Sequence, residues 1–499
     1  MPPSQERQQK RYTPLLCAAL FALIPYILVA SGESLYRQHV MRAIGATPNA
    51  LSVIAGLSVA GYAFGALLGG DLINRMRHRT LFIGNEVMFV IGWSLGAAAP
   101  DTTVYGIGRV LAGFATGMLL VTALPPVVRG FPPSRTPLTA AFINIAFFGA
   151  IAAGPLLGGA IAAENAWRWL YAGFAVLGLV TIGLALVWMP NEEPPNPDMV
   201  FDWQGLLLGL LATSLPFFAS GELRAHGFSE LIVAVPLGIG LVCFAALMLV
   251  EYHKEEPLSP VKRMWTTFPV VGTIVAMGGG GAFVTFVELT SSLLVNVGHL
   301  TPFAAGMQFW PQLAGALVTA ALLGFLFRTR YLPVLAFSGM LLLVAGGLVL
   351  VFYQPSANPV LLLIGVALLG LGAGATVSPG LFLAGFSLPS MILGRIFALV
   401  ELVRSVADFI LAPVMLKIAR VTASGTAPLD TTGIHIALAI TVAMTLAGTV
   451  FALILLLLGG QPLPQPDIAA WLQRQQTAIH SPRLLAVFRR SRERRHPAT

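Results

Sequence analysis

The chain has 499 residues, of which 56% are hydrophobic and only 10% are charged, and its mean hydropathy is +0.81. These values exclude a water-soluble globular domain of this length, in which about a quarter of the residues carry a charge. The formal net charge is +8. Because the basic residues lie in short segments between apolar stretches, we attribute this charge to membrane loops and expect no nucleic-acid partner.

Apolar segments of about 20 residues recur along the chain, each long enough to cross about 30 Å of hydrocarbon as an α-helix. The alternation typical of a membrane β-barrel is absent, so we predict an all-α integral membrane protein with about 14 transmembrane helices. In chain order, the predicted spans are Pro14 to Gly32, Ala50 to Ile73, Leu81 to Ala99, Val104 to Leu124, Leu138 to Ala162, Trp169 to Met189, Gly205 to Ala219, Leu231 to Tyr252, Val270 to Val295, Pro302 to Phe327, Pro333 to Tyr353, Val360 to Phe382, Ile392 to Lys417 and Ile434 to Leu458.

The spans form two groups of six with two extra spans between them. The predicted segments are therefore an N-terminal stretch 1–13, a six-helix half 14–190, a linker with two extra helices 191–267, a second six-helix half 268–460, and a basic tail 461–499. Arginines and apolar residues alternate in the tail, which suits either an amphipathic segment on an anionic membrane surface or a disordered basic segment.

Lysine and arginine predict the orientation of the chain. With the N-terminus inside, about 21 of the 29 basic residues fall in cytoplasmic segments, as the positive-inside rule requires. We therefore predict a multi-pass protein with both termini in the cytoplasm. The short termini suit the bacterial inner (plasma) membrane, and nothing in the sequence demands more than a monomer.

The fifth span contains an unusual run, Gly149 to Ile161, that reads GAIAAGPLLGGAI. Its glycines and proline would destabilise an isolated helix, so their presence indicates close helix approach and a fixed kink. The residues concerned are Gly149, Gly154, Pro155, Gly158 and Gly159. Such a span either acts as a hinge between two halves of a transporter or simply packs closely against a neighbour.

Other motifs add to this run. The loop after the second span reads GDLINRMRHR from Gly70 to Arg79, the fourth span contains GRVLAG from Gly108 to Gly113, and Phe201-Asp202-Trp203 precedes the extra helices. Together with six, two and six spans, these motifs resemble the fourteen-span drug:proton antiporter family of the major facilitator superfamily. The resemblance implies the major facilitator fold, with two six-helix halves around a central cavity and two extra central helices.

The same resemblance implies a cytoplasmic gate in the loop after the second span. The residues concerned are Gly70, Asp71, Asn74, Arg75 and Arg79. Where the family has an aspartate this chain has Asn74, and Asp71, about one turn earlier, could substitute for it. The basic loop could clamp a closed gate through salt bridges or could simply follow the positive-inside rule.

Charged residues inside the spans are the candidate functional groups, because a charge near the bilayer centre costs about 2.5–3.5 kcal/mol on insertion scales. Arg109 in the fourth span is a fixed positive charge that would stabilise a nearby carboxylate or anion, or form a structural ion pair. Glu401, Arg404 and Asp408 share one face of the thirteenth span, so the arginine can pair with either carboxylate. The surplus carboxylate would bind a proton, or the three would form a satisfied buried triad.

Two further carboxylates are Glu33, at the end of the first span of the first half, and Glu288, in the first span of the second half. In the fold implied by the resemblance these spans are equivalent and line the cavity. The proton-coupling candidates are therefore Glu401, Asp408, Glu33 and Glu288, with Arg109 and Arg404 as buried charge partners.

The chain has no Walker-type phosphate loop and no HExxH, CxxC or GxSxG motif, so we predict neither an enzyme nor a cofactor or metal site. We expect a secondary active transporter, a proton-coupled antiporter that exports amphipathic or lipophilic small molecules by alternating access. Its partners would be the small-molecule substrate, protons and the lipid bilayer. One alternative is a dedicated metabolite or siderophore exporter with different or no ion coupling, and another is a non-transporting receptor or enzyme on this scaffold.

Overall fold

The computed structural model describes residues 3–191, 193–194, 196, 199–255, 257–355, 358–424, 429–460, 463, 465–473, 476–484 and 486, except the side chains of residues 3–10, 408 and 409. Within this part of the chain the regular structure is helical, apart from one isolated bridge between Thr266 and Arg483. The long helices are α1 (Pro3–Ile44), α2 (Pro48–Arg75), α3 (His78–Ala98), α4 (Thr102–Arg129), α5 (Pro133–Glu164), α6 (Trp167–Trp188), α7 (Trp203–Glu222), α8 (Leu231–His253), α9 (Thr267–Val297), α10 (Pro302–Leu326), α11 (Leu332–Val351), α12 (Pro359–Phe386), α13 (Leu393–Val421) and α14 (Thr431–Gly459).

Thirteen of these helices, all except α13, are long and apolar enough to cross a membrane. Helix α13 has 29 residues and occupies the thirteenth predicted span. The predicted all-α membrane fold is therefore confirmed. The predicted spans Gly205 to Ala219 and Leu231 to Tyr252 correspond to α7 and α8. Arg224 lies in the turn between these two helices.

The chain crosses the bundle repeatedly between two faces. The amino-terminal face carries the start of α1 and the loops 76–77, 130–132 and 387–392, whereas the opposite face carries the loops 45–47, 99–101 and 223–230. At the opposite face, side chains cap the starts of helices by accepting a backbone N–H that has no partner within the helix. These caps are Thr47, Asp101, Thr301, Asn358 and Asp430.

Two six-helix groups, α1–α6 and α9–α14, make up the bundle. Contacts between the groups run mainly along two helix pairs, α2 with α13 and α5 with α10, while α1 and α9 barely touch. Helices α7 and α8 pack on each other, and α7 also packs on α2 and α13. The space between α1 and α9 is where the cavities described below lie.

Glycines set the separation of α2 and α4. A Cβ atom at Gly113 would overlap the carbonyl oxygen of Ser58, and one at Gly117 would overlap the carbonyl oxygen of Tyr62. Without a hydrophobic driving force in lipid, such backbone contact is a main source of helix association. The fourth-span glycines are therefore packing residues, and they fix the height of Ser58 and Tyr62 relative to α4.

We expect Gly117→Ala to destabilise the protein by about 1–3 kcal/mol, because the added methyl group forces α2 away from α4. The midpoint of thermal unfolding in detergent, followed by size-exclusion chromatography, measures the effect. Gly183→Ala is the matched control, since a Cβ atom there meets nothing within 4 Å. Equal midpoints for the two variants would contradict the assigned contact.

The tail residues in the described part of the chain pack on protein instead of lying on a membrane surface. Trp471 is fully buried, its indole Nε1 donates to the Leu388 carbonyl oxygen at 2.9 Å, and its ring lies 5.1 Å from the Phe386 ring. Ser481 Oγ accepts the Phe268 N–H at 3.0 Å. For residues 465–473 and 476–484, both sequence interpretations of the tail are therefore wrong, because apolar side chains such as Trp471 pack against the ends of α9 and α12.

Candidate functional site

A buried ion pair joins α1 and α4 in the first half. Arg109 Nη2 lies 2.9 Å from Glu33 Oε2, and the two residues are only 2% and 4% exposed. A charge in such a place is strongly destabilising unless it is paired and hydrogen-bonded. The predicted role of Arg109 as a fixed positive charge beside a carboxylate therefore has a defined partner, Glu33.

Aromatic side chains complete the surroundings of this pair. Tyr105 Oη donates to Glu33 Oε1 at 3.0 Å and lies 3.0 Å from the Tyr171 hydroxyl. The Arg109 guanidinium lies 5.5–5.9 Å from the ring centroids of Tyr26, Trp93 and Tyr171, within the range of a cation–π contact. Tyr105 and Arg109 are four residues apart on α4, and this spacing is the signal by which the sequence could have shown them as neighbours.

A second buried ion pair lies at the boundary between the two halves. On α13, Arg404 Nε lies 2.9 Å from Glu401 Oε2, and Arg404 Nη2 also contacts Glu401 Oε1. From the other half, Tyr62 Oη on α2 donates to Glu401 Oε1 at 2.8 Å. All three side chains are buried. Arg404 therefore binds Glu401 as one of its two predicted partners, while the side chain of Asp408 lies outside the described residues.

The two ion pairs are connected through stacked tyrosines. The rings of Tyr26 and Tyr62 are nearly parallel, with centroids 5.5 Å apart. The Tyr26 hydroxyl lies 3.1 Å from Ser58 Oγ, which donates to the Arg109 carbonyl oxygen at 2.8 Å. A displacement of one half against the other would therefore break the Tyr62–Glu401 bond, while the contacts from Tyr62 through Tyr26 and Ser58 to Arg109 lie within the first half.

Three cavities follow one another along the boundary between the halves. The largest of these three, of about 150 Å³, is bordered by both Glu33 and Glu288 and extends to Arg224 in the loop of the opposite face. A second, of about 60 Å³, shares Tyr26 and Glu288 with the first and reaches Arg404. A third, of about 10 Å³, is bordered by Glu401. The Glu401–Arg404 pair thus lies between the second and third cavities.

Glu288 is the carboxylate most accessible from these cavities. It lies on α9, is partly exposed, borders both larger cavities, and has no ion-pair partner within 4.0 Å among the described residues. Its position faces that of Glu33 on α1, as the equivalence of the two spans predicts. The two acids differ in their surroundings, because Arg109 pairs with Glu33 but not with Glu288.

On the amino-terminal side, the halves are in contact. A Cβ atom at Gly70 of α2 would lie 3.3 Å from Ala398 Cβ of α13, and one at Gly394 would lie 3.6 Å from the Val121 carbonyl oxygen of α4. These contacts close the path from the cavities to the amino-terminal face. In this conformation, the cavity bordered by Glu33 and Glu288 therefore extends toward the opposite face and not toward the amino-terminal face.

The predicted gate loop forms a local clamp. Asp71 is fully buried and pairs with Arg75 one turn later, with Nε to Oδ2 at 2.6 Å and Nη2 to Oδ1 at 3.1 Å. Arg75 also contacts the carbonyl oxygen of Met199 in the linker, and Met199 Sδ accepts from Arg395 of the other half at 3.0 Å. Asp71 thus binds Arg75 within α2, and the linker bridges the halves.

The other gate residues act locally. Asn74 Nδ2 donates to the Gly70 carbonyl oxygen at 3.0 Å, within its own helix. Arg79 donates to the Leu186 carbonyl oxygen at the end of α6. Neither side chain makes a described contact to the second half, so the expected contribution of this loop to closure comes through Gly70 and Arg75.

The glycine run in α5 has two packing faces. A Cβ atom at Gly154 would overlap Ser31 Oγ and one at Gly158 would overlap the Gly32 carbonyl oxygen, both on α1. Gly159 faces the second half instead, where a Cβ atom would lie 2.8 Å from the Pro302 carbonyl oxygen of α10.

A π-helical turn, Ile145–Gly149, precedes this run, and Pro155 presents its carbonyl oxygen to Gly306 of α10. Such turns occur mostly as single insertions in α-helices. The run therefore packs α5 closely against α1 on one side and against the second half on the other. These contacts agree with the packing interpretation, and the hinge stays a prediction.

The bundle of two six-helix halves, with buried ion pairs beside a cavity at their boundary, defines a polytopic transporter architecture. The family model of the Major Facilitator Superfamily matches residues 15–412. The chain therefore belongs to the Major Facilitator Superfamily, whose members are transporters and not enzymes.

Named relatives support this assignment at modest identity. The chain is 28% identical over 319 residues to a multidrug resistance protein B homolog of Mycobacterium tuberculosis, covering 62% of this chain and 58% of that protein. It is 28% identical over 336 residues to the puromycin resistance protein pur8 of Streptomyces alboniger, covering 64% of this chain and 65% of that protein. The chain thus spans about three fifths of the length of these relatives. The solved structure of the proton:xylose symporter XylE has a similar fold, with a TM-score of 0.62 at 12% identity, covering 90% of this chain and 96% of that one.

We expect Glu33→Gln to lower the stability of the protein by about 3–5 kcal/mol, because it leaves the Arg109 guanidinium buried without a counter-charge. The midpoint of thermal unfolding in detergent measures the loss. Combining Glu33→Gln with Arg109→Gln should restore part of the stability, because the uncompensated charge is then removed.

Arg77→Gln is the control for this prediction. Arg77 and Glu193 are 3.7 Å apart, and both side chains are more than half exposed, so this pair should contribute little. A double variant less stable than Glu33→Gln alone would contradict the compensation argument.

Proposed function

We propose that this protein exports amphipathic small molecules across the bacterial inner membrane by alternating access, in exchange for protons. Membership of the superfamily supports transport, and the multidrug and puromycin resistance named in its relatives supports small-molecule export. A single chain contains both halves and the cavity between them, which supports a functional monomer. The hydrogen bond from Tyr62 to Glu401 is the observation on which the proposed coupling rests.

The orientation of the protein follows from its basic residues. Loops of the amino-terminal face carry most of the lysines and arginines outside the spans, so this face is proposed to be cytoplasmic, with both termini. The cavity then reaches the outer side of the membrane. In this proposed orientation we assign the structure to the outward-facing state, in which an exporter releases substrate and takes up protons.

Glu401 is proposed as the main proton carrier because its bond to Tyr62 crosses the boundary between the halves. A hydrogen bond to an ionised carboxylate is roughly twice as strong as one between neutral groups. Proton uptake by Glu401 from the outer side would weaken the bonds from Tyr62 and Arg404, and the halves could separate on the cytoplasmic side. Release of the proton to the cytoplasm and binding of substrate would then favour return to the outward-facing state.

The remaining carboxylates have distinct proposed roles. Glu288 has no ion-pair partner in the described part of the chain and borders the first two cavities between the halves, so it is proposed as the acceptor that first meets protons or substrate. Glu33 is held by Arg109 and Tyr105 and is proposed as a secondary proton site. Asp408 is kept as a candidate from its position on the face of α13 that carries Glu401 and Arg404.

We expect Glu401→Gln to abolish substrate-triggered proton movement, because a glutamine side chain cannot take up and release the proton. The measurement uses proteoliposomes with an enclosed pH-sensitive dye, an imposed proton gradient, and a panel of cationic, neutral and anionic lipophilic compounds. Tyr62→Phe should keep substrate binding but lower the coupled rate about tenfold or more, since it removes the bond across the boundary.

Tyr12→Phe is the matched control for Tyr62→Phe. The Tyr12 hydroxyl lies 2.9 Å from Thr139 Oγ1, and this bond joins two helices of the same half. Wild-type coupling in Glu401→Gln would exclude Glu401 as the proton carrier. Transport of a single compound without proton movement would favour a dedicated metabolite exporter with different or no ion coupling.

The gate clamp gives a second test. Asp71→Asn removes the charge that holds Arg75, so we expect Ala398→Cys, which lies beside Gly70, to react several times faster with a soluble maleimide. The background is the cysteine-free protein, in which Cys17 and Cys243 are replaced by serine. Asp101→Asn changes an exposed helix cap at the opposite face and is the control. Unchanged labelling with Asp71→Asn would contradict a role for this pair in closure.

A further inference from the structure

The charge of the cavity bordered by Glu33 and Glu288 is unbalanced. Four arginines and two glutamates border it, which leaves a net charge of +2: Arg37, Arg109, Arg224, Arg420, Glu33 and Glu288. Glu33 and Arg109 neutralise each other through their 2.9 Å contact. Three arginines and one glutamate therefore set the potential that a bound molecule meets.

The three remaining arginines come from different elements. Arg37 lies on α1, Arg224 in the turn after α7, and Arg420 near the end of α13. None of them forms an ion pair within 4.0 Å with a described carboxylate. The extra helix pair thus supplies one of the three charges, so it contributes to the cavity as well as packing beside it.

These arginines are close enough to repel one another. Arg420 Nη1 donates to the Arg224 carbonyl oxygen at 3.3 Å. Burial lowers the pKa of Arg224 to about 10, and the charges of Arg37 and Arg420 act in the same direction, against the opposing effect of Glu288. A guanidinium group in a protein keeps its positive charge at neutral pH. Arg37 Nε is also buried and has no hydrogen-bond partner among the described residues.

The rest of the cavity wall combines the hydroxyl groups of Tyr26, Ser34, Ser52 and Ser220 with aliphatic side chains. Val59 of α2, Val284 of α9, and Ala412, Pro413 and Leu416 of α13 border the same space. A molecule bound there would meet guanidinium groups toward the opposite face and aliphatic side chains around its body. A cationic molecule would add to the repulsion among the arginines, whereas an anion would relieve it.

We infer that the substrate is an amphipathic organic anion, with a carboxylate or sulfonate bound among Arg37, Arg224 and Arg420 and an apolar body against Val59, Val284 and Leu416. This inference rests on the proposed export function and names the charge class of its substrate. Guanidinium groups suit it because their planar N–H donors bind carboxylate and other oxyanions in a bidentate manner.

Two dyes with the same phenylxanthene skeleton and opposite charge test the inference. Anionic fluorescein and cationic tetramethylrhodamine methyl ester are titrated by fluorescence anisotropy against the full chain in nanodiscs of zwitterionic phosphatidylcholine. We expect fluorescein to bind about tenfold or more tightly than the rhodamine ester, as Coulomb interactions in a cavity of reduced dielectric predict. Added salt should weaken fluorescein binding and leave the ester unaffected or bound more tightly.

Substitutions of the cavity arginines test whether these residues cause the preference for fluorescein. Arg224→Gln combined with Arg420→Gln should reduce fluorescein affinity about tenfold and remove the discrimination between the dyes. Arg224→Lys combined with Arg420→Lys keeps the charges, so it should keep most of the preference even if the glutamine variant folds poorly. Arg330→Gln, at an exposed position on the amino-terminal face, is the control and should bind both dyes as the wild type does.

Equal or tighter binding of the rhodamine ester overturns the inference, and so does the absence of measurable fluorescein binding. The proton-movement assay separates this result from the proposed export. A cation that moves protons while fluorescein fails to bind leaves export in place and rejects the anionic class. Selective fluorescein binding without proton movement for any compound supports the anionic site and rejects proton coupling.

Discussion

The structure depends on one constraint: a charge inside an apolar bundle must either face a cavity or have a partner at hydrogen-bond distance. Glycine packing is what meets this constraint here. Because Gly113 and Gly117 bring α4 against the backbone of α2, Ser58 reaches the Arg109 carbonyl oxygen and Tyr62 is held where it can reach Glu401. The close helix contact and the charged network are therefore parts of the same arrangement.

The two buried ion pairs differ in what they join. Glu33 and Arg109 lie in the same half, so their bond survives when that half moves as a rigid body. Glu401 accepts a hydrogen bond from the other half, so its surroundings must change if the halves rock against each other. Protonation of a charged site can shift the equilibrium between two conformations only when the contacts of that site differ between them. By this criterion Glu401 is better placed than Glu33 to couple protonation to conformation.

The sequence predicted the fold better than the site, for a physical reason. An apolar run of about 20 residues must become a helix in lipid whatever surrounds it, so the helices could be located from local composition. Spacing along a helix likewise predicted that Arg404 could pair with Glu401, whereas the pairing of Asp71 with Arg75 was not predicted. Tyr62, which donates to Glu401 from the other half, is 339 residues away in the sequence. Helix periodicity shows on which face of its own helix a residue lies, but it does not show which other helix that face contacts. The three arginines of the cavity and the docked tail were missed for the same reason.

Substrate charge and proton exchange determine together what drives export. Exchange of one proton for one monocation moves no net charge, so the membrane potential contributes nothing and only the pH gradient acts. Exchange of one proton for one monoanion moves two charges, which at about 100 mV contributes about 4.6 kcal/mol. At about 1.4 kcal/mol per factor of ten, this sustains a concentration gradient of about three orders of magnitude. The proposed selection of anions would therefore let the protein use the membrane potential twice in each cycle, and this proposal rests on the positive charge left by Arg37, Arg224 and Arg420.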